Sequence, residues 1–175
     1  MVGSIDEINR GNMSKIFGEL LMLIERDYRG TKATLAYNGM SFSVPKNLHI
    51  IGMMNTADRS LAMIDYALRR RFSFFDIEPG FNSAGFVKYQ QKLNNETFSL
   101  LISKVQELNK EIILDKSLGK GFCIGHSYFC NQKECTDEWM QAIVDYDILP
   151  MLSEYWFDDL NKLQRWENIL RGVFQ

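Results

Sequence analysis

The chain has 175 residues, 46% of them hydrophobic and 24% charged, with 20 Lys+Arg against 22 Asp+Glu and a formal net charge of −2. A polymer of this length buries about 70% of its unfolded surface and needs no staples, while 12 Gly and 3 Pro exclude a collagen-like or Pro/Gly-rich disordered chain. The near-balanced charge excludes a chain that binds nucleic acid by its overall field, and three cysteines do not make a disulfide framework.

Reduced thiols fit the cytoplasm. The N-terminal residues have neither the basic nor the apolar region of a signal peptide, and no stretch approaches the ~18 uncharged apolar residues of a membrane span. Val2 to Ile5 reads as the end of a strand with Asp6-Glu7 directly after it. Few domains begin on so short a strand, so the chain reads as the C-terminal piece of something longer.

Asn12 can cap a helix whose apolar stripe is Ile16, Phe17, Leu20, Leu21 and Ile24, with Gly30 as its stop. Thr31 to Pro45 reads as a β-hairpin, because Asn38-Gly39 suits the two positive φ angles of a type I′ turn. Leu48 to Met54 is a short, nearly continuous apolar run, as in a strand buried on both faces. A polar loop, Asn55 to Arg59, follows it. Ser60 can cap the next helix, whose face is Leu61, Ile64, Ala67 and Leu68, and Arg69, Arg70 and Arg71 fill its last turn, favourable for the dipole. Phe72 to Ile77 reads as another buried strand.

From residue 81 helical patterns dominate. One covers about 83–93. A second covers about 98–113, with Thr97 as cap and Phe98, Leu101, Ile102, Val105, Leu108 and Ile112 as stripe. Thr136 can cap a third, Pro150 suits a first helical turn, and Asp159 can cap the last. The expected organisation is an α/β segment over 1–80 and an all-helical segment over 81–175. Strand, helix, strand, helix, strand is the order of a doubly wound parallel sheet.

In such a sheet ligands bind beyond the carboxyl ends of the strands. Asp6, Glu7 and Asn55 fall there, with Asp58 and Arg59 in the same loop as Asn55. Two carboxylates and an amide on one rim suit Mg²⁺ and a polarised water. An Asp-Glu pair at a strand end also arises by chance. Likewise, three arginines in a last helical turn are often only a solvated end.

Cys123, His126, Cys130 and Cys135 have the spacing C-x₂-H-x₃-C-x₄-C, which could hold zinc but is not a common structural pattern, and packed thiols with a satisfied histidine explain it better. An acidic stretch, Asp145, Asp147, Glu154, Asp158 and Asp159, contains no Lys or Arg over 145–159. It suits a solvated face or a basic partner.

These residues resemble a known family. Ile5-Asp6-Glu7-Ile8-Asn9-Arg10 looks like a Walker B segment of an AAA+ nucleoside triphosphatase, Met54 to Ser60 like its sensor 1 loop, and Ala67 to Phe72 like its arginine-finger helix end. The run from Asp6 to Phe81, together with Gly121-Phe122-Cys123-Ile124-Gly125-His126-Ser127-Tyr128-Phe129, is similar to McrB-type restriction GTPases.

The resemblance implies a partial AAA+ P-loop NTPase core, with a parallel sheet lacking the P-loop strand and a pre-sensor 1 β-hairpin, followed by a helical lid. It implies that Asp6 is associated with Mg²⁺ through water, that Glu7 is the catalytic carboxylate, and that Asn55 is sensor 1. Asp58 and Arg59 would help bind cofactor. Arg70 and Arg71 would act in trans on nucleotide held by a neighbouring subunit. It further implies GTP hydrolysis, a hexameric ring, a McrC-type nuclease partner, modified DNA read through a separate domain, and the bacterial cytoplasm.

One departure stands out. The chain has no G-x-x-x-x-G-K-[ST], so no P-loop cradles phosphates here. An inactive half-site is one expectation. A non-enzymatic interface protein that lends arginine fingers to a complete partner subunit is the other.

Overall fold

The computed structural model describes residues 1–10, 18, 20–55, 57, 69–130 and 132–175. They fall into two compact units, Met1–Asp76 and Ile77–Gln175.

In the first unit β1 (Val2–Ile5) runs parallel to β4 (His49–Gly52), with Val2 opposite His49 and Ile5 opposite Gly52. Between them lie α1 (Leu20–Leu23) and the pair β2 (Ala33–Thr34) and β3 (Ser41–Phe42). Leu21, Leu23, Ile24 and Val44 form the core, and Ile8, Leu48, Ile50 and Phe72 pack on it. The stripe expected from Leu20 to Ile24 therefore faces inward. The expected cap Asn12 and the helix face at 61–68 lie outside the described residues.

Gly30 stops the segment in the left-handed region, with φ +84, and its N–H donates to Val44 O at 2.7 Å. The hairpin differs from the expected two-residue turn. β2 and β3 pair antiparallel, and Leu35 N donates to Met40 O at 2.8 Å, which leaves residues 36–39 as the connection. Gly39 alone among them has positive φ, +67. Asn38 Oδ1 instead accepts from Met40 N at 3.0 Å, an Asx turn that satisfies the backbone without a left-handed asparagine.

The buried strand expected over 72–77 is not formed. Phe72 is half-buried, but the chain from Ser73 to Glu78 is irregular and exposed, with Phe75 at 88% and Ile77 at 89%. A strand buried on both faces needs ladder partners and two covering layers. Among the described residues the parallel sheet has only β1 and β4. Exposed aromatic side chains beside unpaired strand edges recruit other surfaces. The protein is therefore expected to self-associate as concentration rises, and a concentration-independent monomer mass in light scattering would contradict this.

The second unit is helical: α2 (Ala84–Leu93), α3 (Glu96–Leu114), α4 (Asp137–Ile143), α5 (Leu149–Tyr155) and α6 (Leu160–Arg171). Caps fix the boundaries. Ser83 Oγ accepts from Phe86 N, Thr136 Oγ1 from Trp139 N, and Asp159 Oδ1 from Lys162 N. The cap of α3 is Asn95 rather than Thr97: its Oδ1 accepts from Phe98 N at 2.9 Å, and its Nδ2 donates to Cys135 O at 2.9 Å. An amide satisfies both partners, which a hydroxyl at Thr97 would not reach.

Helices α4 and α5 are joined by a π-helical turn, Val144–Ile148, in which Leu149 N donates to Val144 O. Pro150 accounts for the wide turn, because it has no N–H and its ring collides with the carbonyl of i−4 in an α-helix. Among the described residues, no helix is long and apolar enough to cross a membrane.

The stripe of α3 is buried as the spacing predicts. Phe98, Leu101, Val105, Leu108 and Ile112 are fully enclosed, and Trp156, Trp166 and Leu170 share their core. Asn109 is the buried polar member of that helix face. Its Oδ1 accepts from Ile124 N at 2.6 Å and its Nδ2 donates to Ile124 O at 2.9 Å, so it docks the 119–125 loop like a short piece of ladder. Asn109→Leu leaves both Ile124 groups unpaired and is expected to destabilise the unit by about 2–4 kcal/mol in urea unfolding.

At the end of α3 Asp115 Oδ2 accepts from Lys162 Nζ at 2.6 Å and from Trp156 Nε1 at 2.9 Å, and Ser117 donates to Oδ1. The bond from Lys162, then those from Ser117 and Trp156, hold the carboxyl well below the usual carboxylate range against the opposing effect of burial. A lowered folded-state pKa gives stability that is complete above the unfolded value, near pH ~4, and lost as pH falls through the folded value. Asp115→Asn is expected to lower stability by about 1–2 kcal/mol at pH 7, after solvent screening. That difference should shrink below pH ~4 in pH-resolved thermal melts.

Candidate nucleotide-hydrolysis site

Parallel pairing puts the exits of β1 and β4 at one edge. Past Ile5 and Gly52 the two chains stay bound, Met53 N donating to Ile5 O and Ile8 N to Met53 O, each at 2.9 Å. Asp6, Glu7 and Asn55 therefore share that edge, and all three are exposed.

The loop after β1 is tightly made. Glu7 N donates to Asp6 Oδ1 at 2.9 Å. Glu7 has φ +48, a left-handed conformation that a non-glycine residue adopts at some cost. Its carbonyl accepts from Arg10 N at 2.9 Å, and its carboxylate pairs with the Arg10 guanidinium. Asn9 Nδ2 reaches Asn55 O at 3.5 Å, tying the two exits together. Asn55 Oδ1 accepts from Ala57 N at 3.0 Å and so shapes its own loop. Gly52 lets this approach happen: a Cβ there would lie 2.6 Å from Ile8 Cδ1.

The donor set at this edge is two carboxylates and an amide, hard oxygen ligands of the kind Mg²⁺ takes in small number, the remainder being waters and substrate phosphates. Asp6 Oδ1 already accepts from the Glu7 amide, so a hydrated cation held by this carboxylate would be met through Oδ2. The residues fit such an ion held partly through water.

Asp58 and Arg59 lie outside the described residues. Arg69 ends a helical turn, Arg70 is exposed, and Arg71 is half-buried in an ion pair with Glu25. The structure thus separates the two arginines that sequence treats alike. Glu25 and Arg29 read in the sequence as the solvated end of a helix, and Asn9 as part of the segment after the first strand; the structure gives each a partner. The Arg29 guanidinium donates to Ile24 O at 2.9 Å and to Leu48 O, which ties the α1 segment to the start of β4. The only sequence signal for these was polarity beside apolar runs.

The cysteine–histidine group does not converge. His126 Nδ1 accepts from Gly80 N at 3.0 Å, and Cys130 Sγ donates to the His126 carbonyl at 3.3 Å. Cys123 Sγ faces Asn109 O, and Cys135 Sγ contacts Tyr89 OH at 3.7 Å. Burial pushes all three thiols up, away from the thiolate that zinc requires. Among the described residues no group of three His, Cys, Asp or Glu is placed to hold a metal.

Comparison with known proteins agrees with this layout. Residues 1–72 match the family described as AAA domain (dynein-related subfamily), and residues 100–164 match "McrB, alpha-helical lid domain". With the parallel pair and the helical unit described above, these two matches make the chain a partial AAA+ core with a helical lid.

Over 180 residues the chain is 51% identical to the type IV methyl-directed restriction enzyme EcoKMcrB subunit of Escherichia coli K12, covering 96% of this chain and 39% of that protein. Over 88 residues it is 33% identical to the type II restriction enzyme BsuMI component YdiS of Bacillus subtilis 168, covering 42% of this chain and 26% of that protein. The chain belongs to the McrB-type AAA+ family. It spans well under half the length of both relatives.

Proposed function

We propose that this chain is the hydrolytic-edge and lid portion of a GTP-driven subunit of a DNA restriction system. The observation that supports it most is the β1–β4 register, which brings Asp6, Glu7 and Asn55 to one edge in a chain 51% identical to a methyl-directed restriction subunit.

In this reading Glu7 orients the attacking water and accepts its proton, and Asn55 hydrogen-bonds a phosphate oxygen through Nδ2. Asp6 holds Mg²⁺ through water, with Asp58 and Arg59 assisting nucleotide binding. When bound, the ion offsets charge that develops on the phosphates. Arg70 and Arg71 belong to the site of the neighbouring subunit in a hexameric ring. A McrC-type nuclease would cut, a separate domain would read the modified DNA, and the assembly would work in the bacterial cytoplasm.

This portion has no phosphate cradle of its own, so by itself it is expected to release no phosphate from GTP. That observation favours the second reading, an interface protein that lends its arginines to a complete AAA+ subunit. Both are tested by exchanging this chain for the matching segment of the EcoKMcrB subunit. Restored GTP turnover and restriction of methylated DNA support the first reading. A chimera that folds and assembles but has neither activity overturns it. Stimulated turnover on adding the free chain to the intact EcoKMcrB subunit supports the second.

A further inference from the structure

We propose that His126 is a positioning residue for the lid: its neutral ring clips the segment through which the chain enters the helical unit, so that residues 78–82 travel with the lid and any rearrangement of lid against core is taken up before Glu78.

The ring stands on a supported loop. Asn109, buried on α3, makes two hydrogen bonds to Ile124, and His126 follows two residues later in the turn His126–Phe129. Phe129, the last residue of that turn, is fully buried. Cys130 Sγ donates to the His126 carbonyl at 3.3 Å. The His126 ring meets Phe81 and Phe86 edge to face, with centroids 6.1 and 5.8 Å away.

Gly80 receives this ring with both of its backbone groups engaged. Its N–H donates to His126 Nδ1 at 3.0 Å, its carbonyl accepts from Ser83 N at 3.0 Å, and Ser83 in turn caps α2. Nδ1 accepts only when it carries no proton, so the ring is neutral with its hydrogen on Nε2. The fit is close: a Cβ at Gly80 would lie 3.0 Å from His126 Cε1 and 3.1 Å from Nε2. Phe81, next in the chain, is buried against Phe86 and Phe129.

The chain before this point is held differently. Among the described residues, 73–77 are exposed and make no hydrogen bond or ion pair. Glu78 pairs with Lys120 at 3.0 Å, but both side chains are mostly exposed, so the pair contributes little. Pro79 has a restricted φ and stiffens the step into Gly80. Hinges need a few residues that can absorb φ and ψ changes, and the His126 clip ends any such stretch.

The test uses the full chain labelled with ¹⁵N. The wild type is expected to show a scalar coupling between the Gly80 amide nitrogen and His126 Nδ1, and its absence overturns the clip. His126→Leu keeps the bulk but offers no acceptor. It is expected to speed exchange of the Gly80 amide by at least about tenfold, and to spread chymotrypsin cleavage from the exposed Phe74 and Phe75 to Phe81. His126→Asn, whose Oδ1 takes the place of Nδ1, is expected to restore protection. Equal Gly80 exchange in the wild type and His126→Leu overturns the proposal, as does a folded His126→Asn that behaves like His126→Leu. Circular-dichroism melts check folding. If His126→Leu unfolds, Gly80→Ala, which pushes the ring away, is read by the same amide, with faster exchange expected and unchanged exchange overturning the clip.

The consequence for turnover rests on the GTP-driven reading. In the EcoKMcrB chimera His126→Leu is expected to lower kcat by about 10–10²-fold, as misplacement far from the chemistry does, with recovery in His126→Asn. Unchanged kcat in a His126→Leu chimera whose Gly80 amide exchanges fast overturns the positioning role. A chimera inactive with the wild-type segment overturns the GTP-driven reading alone, and exchange at Gly80 still decides the clip.

Discussion

Arg70→Ala is expected to lower GTP turnover of the chimeric ring by about 10³–10⁵, the range that cations supplied to a transferring phosphoryl group are worth. The physical argument is charge. Negative charge spreads over the γ-phosphoryl oxygens as the bond breaks, and a guanidinium delivered there interacts more strongly with the transition state than with the bound substrate. The loss should therefore fall on kcat rather than on KM. The residue is exposed and sits on a turn secured by Phe72, so the variant is expected to fold and melt as the wild type does. A second signature follows from action in trans. Mixing Arg70→Ala subunits with subunits that carry Glu7→Gln should recover part of the activity, because some interfaces then join an intact arginine to an intact carboxylate. Steady-state phosphate release across mixing ratios checks both statements. A fall of less than tenfold, or no recovery on mixing, would show that Arg70 does not act this way.

Glu7→Gln is expected to reduce turnover by about 10²–10⁴, the usual worth of a positioned general base. Glutamine keeps the length and one acceptor oxygen but cannot take a proton from water. Nucleotide binding should survive, since Glu7 is assigned no ground-state contact with the phosphates. The variant should then trap the assembled, nucleotide-bound ring. Fluorescent GTP titration beside single-turnover hydrolysis measures the two properties separately. The left-handed backbone at Glu7, φ +48, adds a structural expectation. Glu7→Gly should relieve the local conformational cost and preserve the fold, yet remain as inactive as Glu7→Gln.

Much of this edge was legible in the sequence because short apolar runs followed by acidic or amide residues leave few ways to build a parallel pair. Val2–Ile5 and the run from Leu48 each became a strand, and they pair directly, but the second is not buried on both faces as expected, Ile51 being 52% exposed, because the described residues give this sheet only two strands. Caps were readable for the same local reason, and Ser83, Thr136 and Asp159 occupy them. Thr97 was the wrong cap because the choice between it and Asn95 depends on the distant carbonyl of Cys135. Asn109 escaped a reading based on apolar spacing, since a buried amide is justified only by the loop it binds. Phe72 to Ile77 had the composition of a strand, but a strand requires neighbours, and composition cannot supply them. The pairing of Arg71 with Glu25 was likewise hidden, because the two lie 46 residues apart in sequence and three consecutive arginines look equivalent there.

The wide turn at Val144–Ile148 fixes the phase of the helix that follows it. An α-helix advances about 100° per residue, so one additional residue would rotate everything downstream unless a wider turn absorbs it. Leu149, Leu152 and Trp156 face the interior with the extra residue taken up inside the wide turn. Removing a single residue between 144 and 148 would let regular winding resume with this row still facing inward, whereas removing one from the regular helix beyond the turn would swing the residues after it by about 100° toward water.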